Sequence, residues 1–164
     1  MRRACAARVV GCLALCLGSA AAAFTLADGT ARQCVAGGRI VPELEMPAGT
    51  DAAFTARTVH SEGGYRIVWN RRKLLALPPT VRDFLFFHEC AHARLATQEE
   101  LAANCGGLRD MRAAGRAGFA VEAKLAAFYG PRNAYWAKTL ECANARHTAD
   151  AAAASPQRRE RARP

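Results

Sequence analysis

The chain has 164 residues, 51% of them hydrophobic and 23% charged, with a formal net charge of +9, seven cysteines and four histidines. Once a leader is set aside, about 140 residues remain, enough for one domain with one core, and so for one active site. The charge argues against a nucleic-acid partner: it falls to +6 without Arg2, Arg3 and Arg8 of the leader, and no nucleic-acid-binding motif accompanies the remainder.

The first 23 residues read as a signal peptide. Arg2, Arg3 and Arg8 lead into an apolar stretch from Val9 to Leu17, and Ala21-Ala22-Ala23 supplies the small residues of a cleavage site ahead of Phe24. The apolar stretch is shorter than the roughly 20 residues that span a bilayer. Neither Cys12 nor Cys16 stands where a lipid anchor requires it. The expectation is a periplasmic or secreted protein with no stable membrane anchor after cleavage.

Setting aside Cys5, Cys12 and Cys16 of the leader leaves Cys34, Cys90, Cys105 and Cys142, an even number in a chain bound for an oxidising compartment. Two disulfides are expected, and the sequence does not choose among the three possible pairings. Without a Cys-x-x-Cys pair, the cysteines do not read as a metal site.

From Phe24 to about Trp69 the pattern is strand-like, with runs at Arg39-Ile40-Val41, Phe54 to Val59 and Tyr65 to Trp69, the last two joined by a loop over His60 to Gly64. Beyond Asn70 the pattern turns helical. Thr80 with Asp83 three residues later resembles a helix-start box, which predicts a helix from about Pro79 to Leu95. Thr97 with Glu100 is a second start signal, for a helix ending near Ala114 or Gly115. Further helices are expected from Phe119 to Tyr129, stopped by Gly130, and from Pro131 through the Ala-rich stretch beyond His147. The fold class is α+β: a small N-terminal antiparallel β-sheet followed by a helical bundle, in one domain over residues 24–154. Residues 155–164 read as a disordered basic tail carrying Arg158, Arg159, Arg161 and Arg163.

The chemistry concentrates in His88-Glu89-Cys90-Ala91-His92, which follows the apolar run Phe84 to Phe87. Two histidines four positions apart on a helix are separated by about 40° around its axis, so both imidazoles reach one metal ion. Glu89 lies about 100° from His88, at the edge of that face, where it can take a proton from a water molecule that zinc activates. Cys90 points away from the histidines, and Cys105 lies about 140° from Glu100, so both read as disulfide partners. A catalytic zinc has a third protein ligand, and the nearest acids are Glu99 and Glu100, of which Glu100 is the choice. Glu100 also reads as a cap for the helix opened by Thr97.

These residues, with Glu100-Leu101-Ala102-Ala103-Asn104 after them, resemble the gluzincin class of zinc metallopeptidases, in particular the HtpX-like branch and the ImmA-type proteases. The resemblance covers about Thr80 to Leu108. It implies His88, His92 and Glu100 as zinc ligands, Glu89 as general base and Asn104 as a residue supporting a metal-bound histidine. Because Glu100 stands eight positions after His92, a tight helical hairpin is required. Tyr129, Tyr135 and His147 are unranked candidates for an oxyanion donor. An extended substrate is expected to pair with an edge strand beside the metal helix, with Tyr65 to Trp69 as the natural edge, although Tyr65 and Trp69 read equally as core aromatics. His60, in a loop, reads as structural or solvated.

The functional expectation is hydrolysis of a peptide or protein substrate in the cell envelope by a zinc enzyme. The alternative is a non-catalytic envelope interaction protein on the same scaffold, holding a structural zinc or stapled by disulfides alone. The oligomeric state is not legible in the sequence.

Overall fold

The structure is a computed structural model that describes residues 23–47, 49, 50 and 52–154, with side chains to residue 145. Of the leader expected over residues 1–23 all but Ala23 lies outside the described residues, as does the basic tail over 155–164. The α+β class stands: small sheets come first and helices follow.

Two short antiparallel hairpins open the chain: β1 (Phe24–Thr25) pairs with β2 (Ala31–Arg32), and β3 (Val35–Ala36) with β4 (Arg39–Ile40). A three-stranded sheet follows, built from β5 (Glu43–Glu45), β6 (Ala56–Ser61) and β7 (Gly64–Trp69) in the order β5-β7-β6. The β6–β7 pairing is antiparallel, whereas β5 joins β7 in parallel. The expected loop over His60 to Gly64 is tighter than its sequence suggests. Ser61 pairs with Gly64 across a two-residue turn, and Gly64 adopts φ +107°, a conformation open to glycine.

The order of this sheet corrects one expectation: β7 is the central strand, so Tyr65 to Trp69 is not an edge, and the edge beside the helices is β6. The physical reason is β5, whose three residues are too few to signal a strand by alternation, yet which covers the far side of β7.

A short helix α1 (Arg71–Leu75), which the sequence pattern does not announce, is capped by Asn70, whose side-chain oxygen accepts from the Lys73 N–H at 3.2 Å. Helix α2 (Pro79–Leu95), which carries His88 and His92, has the expected limits. Its start does not use the Thr80–Asp83 box: Pro78 is the N-cap with no side-chain bond, and the Asp83 carboxylate instead accepts from the Ala27 N–H at 2.8 Å. Burial pushes the Asp83 pKa up against that hydrogen bond, so the residue serves to tie the β1–β2 turn to α2.

Helix α3 (Glu100–Ala113) runs back along α2, α4 (Phe119–Tyr129) ends at Gly130 as expected, and α5 (Ala134–Ala154) closes the fold. It begins three residues after Pro131, because Asn133 accepts from the N–H groups of Tyr135 and Trp136 and so caps it. The core lies between the sheet and α2 and continues among the helices: Ile67, Phe84, Phe86, Leu108, Met111 and Leu125 are at most 2% exposed. Two cystines brace this arrangement. Cys34–Cys90 ties the strand region to α2 with Cα atoms 5.4 Å apart, and Cys105–Cys142 ties α3 to α5 at 5.9 Å. Such bridges belong to proteins folded under oxidising conditions. No helix among the described residues is long and apolar enough to cross a membrane.

Candidate metal centre

The metal face is made by two helices that meet end to end in sequence and side by side in space. Helix α2 stops at Ala96, whose φ of +49° and ψ of 44° turn the chain in the left-handed region, and the N–H of Thr97 returns to the His92 carbonyl at 3.1 Å. The Thr97 hydroxyl accepts from the Glu99 N–H at 3.0 Å. Glu99 is the N-cap of α3, so Glu100 occupies the first helical position and does not close a capping box on Thr97. This link is the tight hairpin that the short spacing demands.

Close approach of the two helices rests on Gly106 and Gly107. A Cβ built on Gly107 would stand 2.8 Å from both the Cα and the N of His88 and 2.9 Å from the carbonyl carbon of Phe87. The backbone of α3 therefore lies directly on the turn of α2 that carries the first histidine. A glycine inside a helix costs about 1 kcal/mol relative to alanine, so a pair of them in α3 is the trace that this tight crossing leaves in the sequence.

With the helices so placed, three side chains converge. His88 Nε2 and His92 Nε2 are 3.1 Å apart, and Glu100 Oε2 stands 3.3 Å from the first and 3.7 Å from the second. The group can hold one metal ion. Both histidines are buried, while the Glu100 side chain is 67% exposed, so the group opens to solvent on its α3 side. Hydrogen bonding with the His88 imidazole, with His92 adding to the effect, holds the Glu100 carboxyl below its usual range against the opposing effect of burial.

The two imidazoles are supported differently. His92 Nδ1 lies 2.9 Å from the Thr97 carbonyl oxygen, which can only accept, so Nδ1 carries the hydrogen and Nε2 turns its lone pair to the centre. His88 Nδ1 is buried with no hydrogen-bond partner among the described residues. Asn104 is half-buried on the next turn of α3 and makes no hydrogen bond to either histidine among the described residues; the Thr97 carbonyl gives His92 the support that the family resemblance assigns to Asn104.

Glu89 is 4% exposed and lies on the same cleft. Its carboxylate is held from β6: the Thr58 hydroxyl is 2.7 Å from Glu89 Oε2 and 2.8 Å from the Glu89 carbonyl oxygen. Nothing in the sequence pattern singles out Thr58, because its role depends on packing a strand against a helix 31 positions later.

The cleft, of about 350 Å³, is walled on one side by Thr55 to Thr58 and on the other by Leu85, Gln98 and the metal group. Among the described residues no strand pairs with the outer side of its strand wall, β6. The Ile67 N–H bonds to Pro42 on the β5 side, so its partner Thr58 is a non-hydrogen-bonded position of the β6–β7 ladder, as are Ala56 and His60. The backbone N–H and C=O groups of these three residues turn outward, away from β7.

Of the candidate oxyanion donors, Tyr135 is exposed and does not line the cleft; burial, and after it the charges of Glu100 and Glu99, raise its pKa. Tyr129 is enclosed by aromatic rings, 5.1 Å from Trp136 and 6.1 Å from Phe84, and burial pushes its phenol up to about 12. The side chain of His147 lies outside the described residues. His60 packs its ring 4.9 Å from Tyr65, in keeping with a structural role. The cysteines stand away from the centre, each in a cystine. No protein-family profile matches the chain, and searches of curated proteins and of solved structures return no significant match.

Proposed function

We propose that the chain is a zinc-dependent peptidase of the periplasm or the secreted space, a small relative of the gluzincins, with His88, His92 and Glu100 holding the metal and Glu89 as general base. The observation that carries this reading is the convergence of three ligand atoms at 3.1, 3.3 and 3.7 Å with the Glu89 carboxylate on the same cleft. Ligands about 2.0 to 2.1 Å from a tetrahedral zinc stand roughly 3.3 Å from one another, and the three separations straddle that value. Two neutral imidazoles and one carboxylate are also the donor set of hydrolytic zinc sites that keep a position open. A structural zinc in a non-catalytic scaffold takes four protein ligands, whereas the group among the described residues has three.

When bound, the ion supplies Lewis-acid activation of a water molecule and of the scissile carbonyl. The remaining work belongs to the chain. Thr58 holds Glu89 Oε2, which leaves Oε1 to take the proton from the attacking water and pass it to the departing amine. Thr97 keeps His92 in the tautomer that presents Nε2. The outward backbone groups of Ala56, Thr58 and His60 pair with an extended peptide, which lays its carbonyl across the cleft.

The test is metal content of the oxidised protein, measured beside His88→Ala, Glu100→Ala and Glu89→Gln, together with hydrolysis of a mixed peptide library. About one zinc per chain is expected in the wild type, lost in the first variant, weakened in the second and kept in the third, which loses hydrolysis. Folded wild-type protein that neither carries zinc nor takes it up when added overturns the reading.

A further inference from the structure

Away from the metal cleft, a second cavity of about 610 Å³ lies between the start of the described chain and the outer face of the sheet, with Ala23, Phe24, Glu43, Trp69 and Arg82 on its walls. Glu43 is a carboxylate in the wrong place for a solvated acid: it is 7% exposed, and its Oε2 accepts from the Trp69 indole N–H at 2.9 Å. Its Oε1 has no well-formed hydrogen bond among the described residues. The backbone N–H groups of Cys34 and Phe24 face the carboxyl, and no cation among the described residues pairs with it. Arg71 lines the same cavity but is bound by Glu45 at 2.7 Å, and Arg82, on the same wall, forms no salt bridge with Glu43 among the described residues. Burial therefore dominates and pushes the Glu43 pKa up to about 7.

Phe24 is the first buried residue of the described chain, 8% exposed, with its ring 4.9 Å from Trp69 and 5.0 Å from Phe86, whereas Ala23 before it is exposed. The bond between them is the one at which the small-residue run ends. We propose that hydrolysis of the Ala23–Phe24 bond converts the amide nitrogen facing Glu43 into an α-ammonium that forms a buried ion pair with the Glu43 carboxylate, fixing the mature N-terminus in the core.

The step is an ordinary peptide hydrolysis by a leader-removing protease. Water gives its hydroxyl to the Ala23 carbonyl carbon and a hydrogen to the Phe24 nitrogen. The new carboxyl releases a proton, and the amine takes one up at neutral pH. The Phe24 ring packs on Trp69, whose indole N–H bonds Glu43, and so holds the new terminus beside the carboxyl. Before cleavage the buried acid lacks a counter-charge, and after it the acid has one on the wall of the same cavity, the arrangement in which a buried charge is tolerated. Removal of the leader is thus a folding event as well as an export event.

The experiment expresses the full chain with its leader for export, maps the N-terminus of the product by mass, and labels its amines with acetic anhydride at pH 7.5. Lys73, Lys124 and Lys138 serve as internal references. The product is expected to begin at Phe24, with an α-amine that labels at least about tenfold more slowly in the native than in the denatured chain, since an exposed α-amine titrates near about 7.7 to 8.0 and reacts readily there. Glu43→Gln is expected to restore fast labelling and to lower the melting temperature by about 5 °C or more. If that variant yields no folded protein, the native-to-denatured ratio of the wild type decides the matter alone. A product beginning at another residue, or a Phe24 amine that labels equally fast in native and denatured protein, overturns the proposal.

Discussion

The Thr58 hydroxyl lies 2.7 Å from Glu89 Oε2, so the carboxylate beside the His88–His92 pair is held by a strand and not by its own helix. Both residues are buried, at 5% and 4% exposure, and a buried carboxylate with its position fixed by one hydroxyl has little freedom to turn.

Thr58→Val keeps the shape and removes the hydroxyl. A hydrogen bond to a charged group contributes about 1.5 to 3 kcal/mol, so kcat for peptide hydrolysis is expected to fall roughly 10- to 100-fold while zinc content stays at the wild-type level. Thr58→Ser is expected to recover most of the loss. An unchanged kcat in the valine variant would show that Glu89 needs no such support.

The two glycines of α3 separate into unequal cases. Gly107→Ala drives a methyl group into the backbone of His88 and Phe87, which cannot yield, and is expected to destabilise the protein by about 1 to 3 kcal/mol and weaken zinc uptake. Gly106→Ala meets Leu95 Cδ1 at 2.8 Å, the free end of a side chain that can rotate away, and Ala91 Cβ at 3.2 Å, which cannot, so up to about 1 kcal/mol of helix propensity is offset and the variant is expected to cost less than Gly107→Ala. Urea unfolding with zinc titration of both variants checks the order, which would be reversed or absent if α2 and α3 were not in contact here.

The cystines close loops with sequence separations of 56 and 37 residues. On the chain-entropy account each contributes about 4 kcal/mol, so reduction is expected to lower the melting temperature by well over about 10 °C. Peptide mapping of the oxidised protein should recover Cys34 with Cys90 and Cys105 with Cys142. Any other pairing contradicts the placement of α5 on α3.

Asp28 gives the acid limb of the stability profile. The Arg116 guanidinium, 2.7 Å away, and the Thr30 N–H hold its carboxyl well below the usual carboxylate range. A depressed acid stabilises the fold above its unfolded pKa, and that contribution is lost as pH falls below about 4. Asp28→Asn is therefore expected to melt slightly below the wild type at neutral pH and to converge with it in strong acid. Since the pair is at the surface, the gap at neutral pH should shrink in high salt. Parallel melting curves under both conditions would remove the ion pair as the cause.

The longer helices, α2 to α5, are legible because they repeat an apolar face, and Pro79 at the start of α2 and Gly130 after α4 mark limits that the fold keeps. The short strands are not. β1, β3 and β5 have two or three residues, too few for a period of two to register, and β5 alone decides which strand becomes the edge. Asp83 and Glu100 both stand where a helix cap would, and both are drawn to partners beyond the helix start, Ala27 and the histidine pair.

What the sequence determined by itself is the part of the site that lies on one helix, since a four-residue spacing sets His88 and His92 on one face whatever surrounds them. It also set the number of cysteines available for pairing. Tertiary structure decided the rest: that Glu100 meets the histidines, that Thr58 holds Glu89, that Thr97 and not Asn104 supports His92, and which cysteines join. The physical reason is range. Helical periodicity fixes neighbours within about one turn, whereas these contacts depend on how closely α3 and β6 approach α2, and that distance is set by Gly107, by the edge of the sheet and by the packing of side chains far apart in the chain.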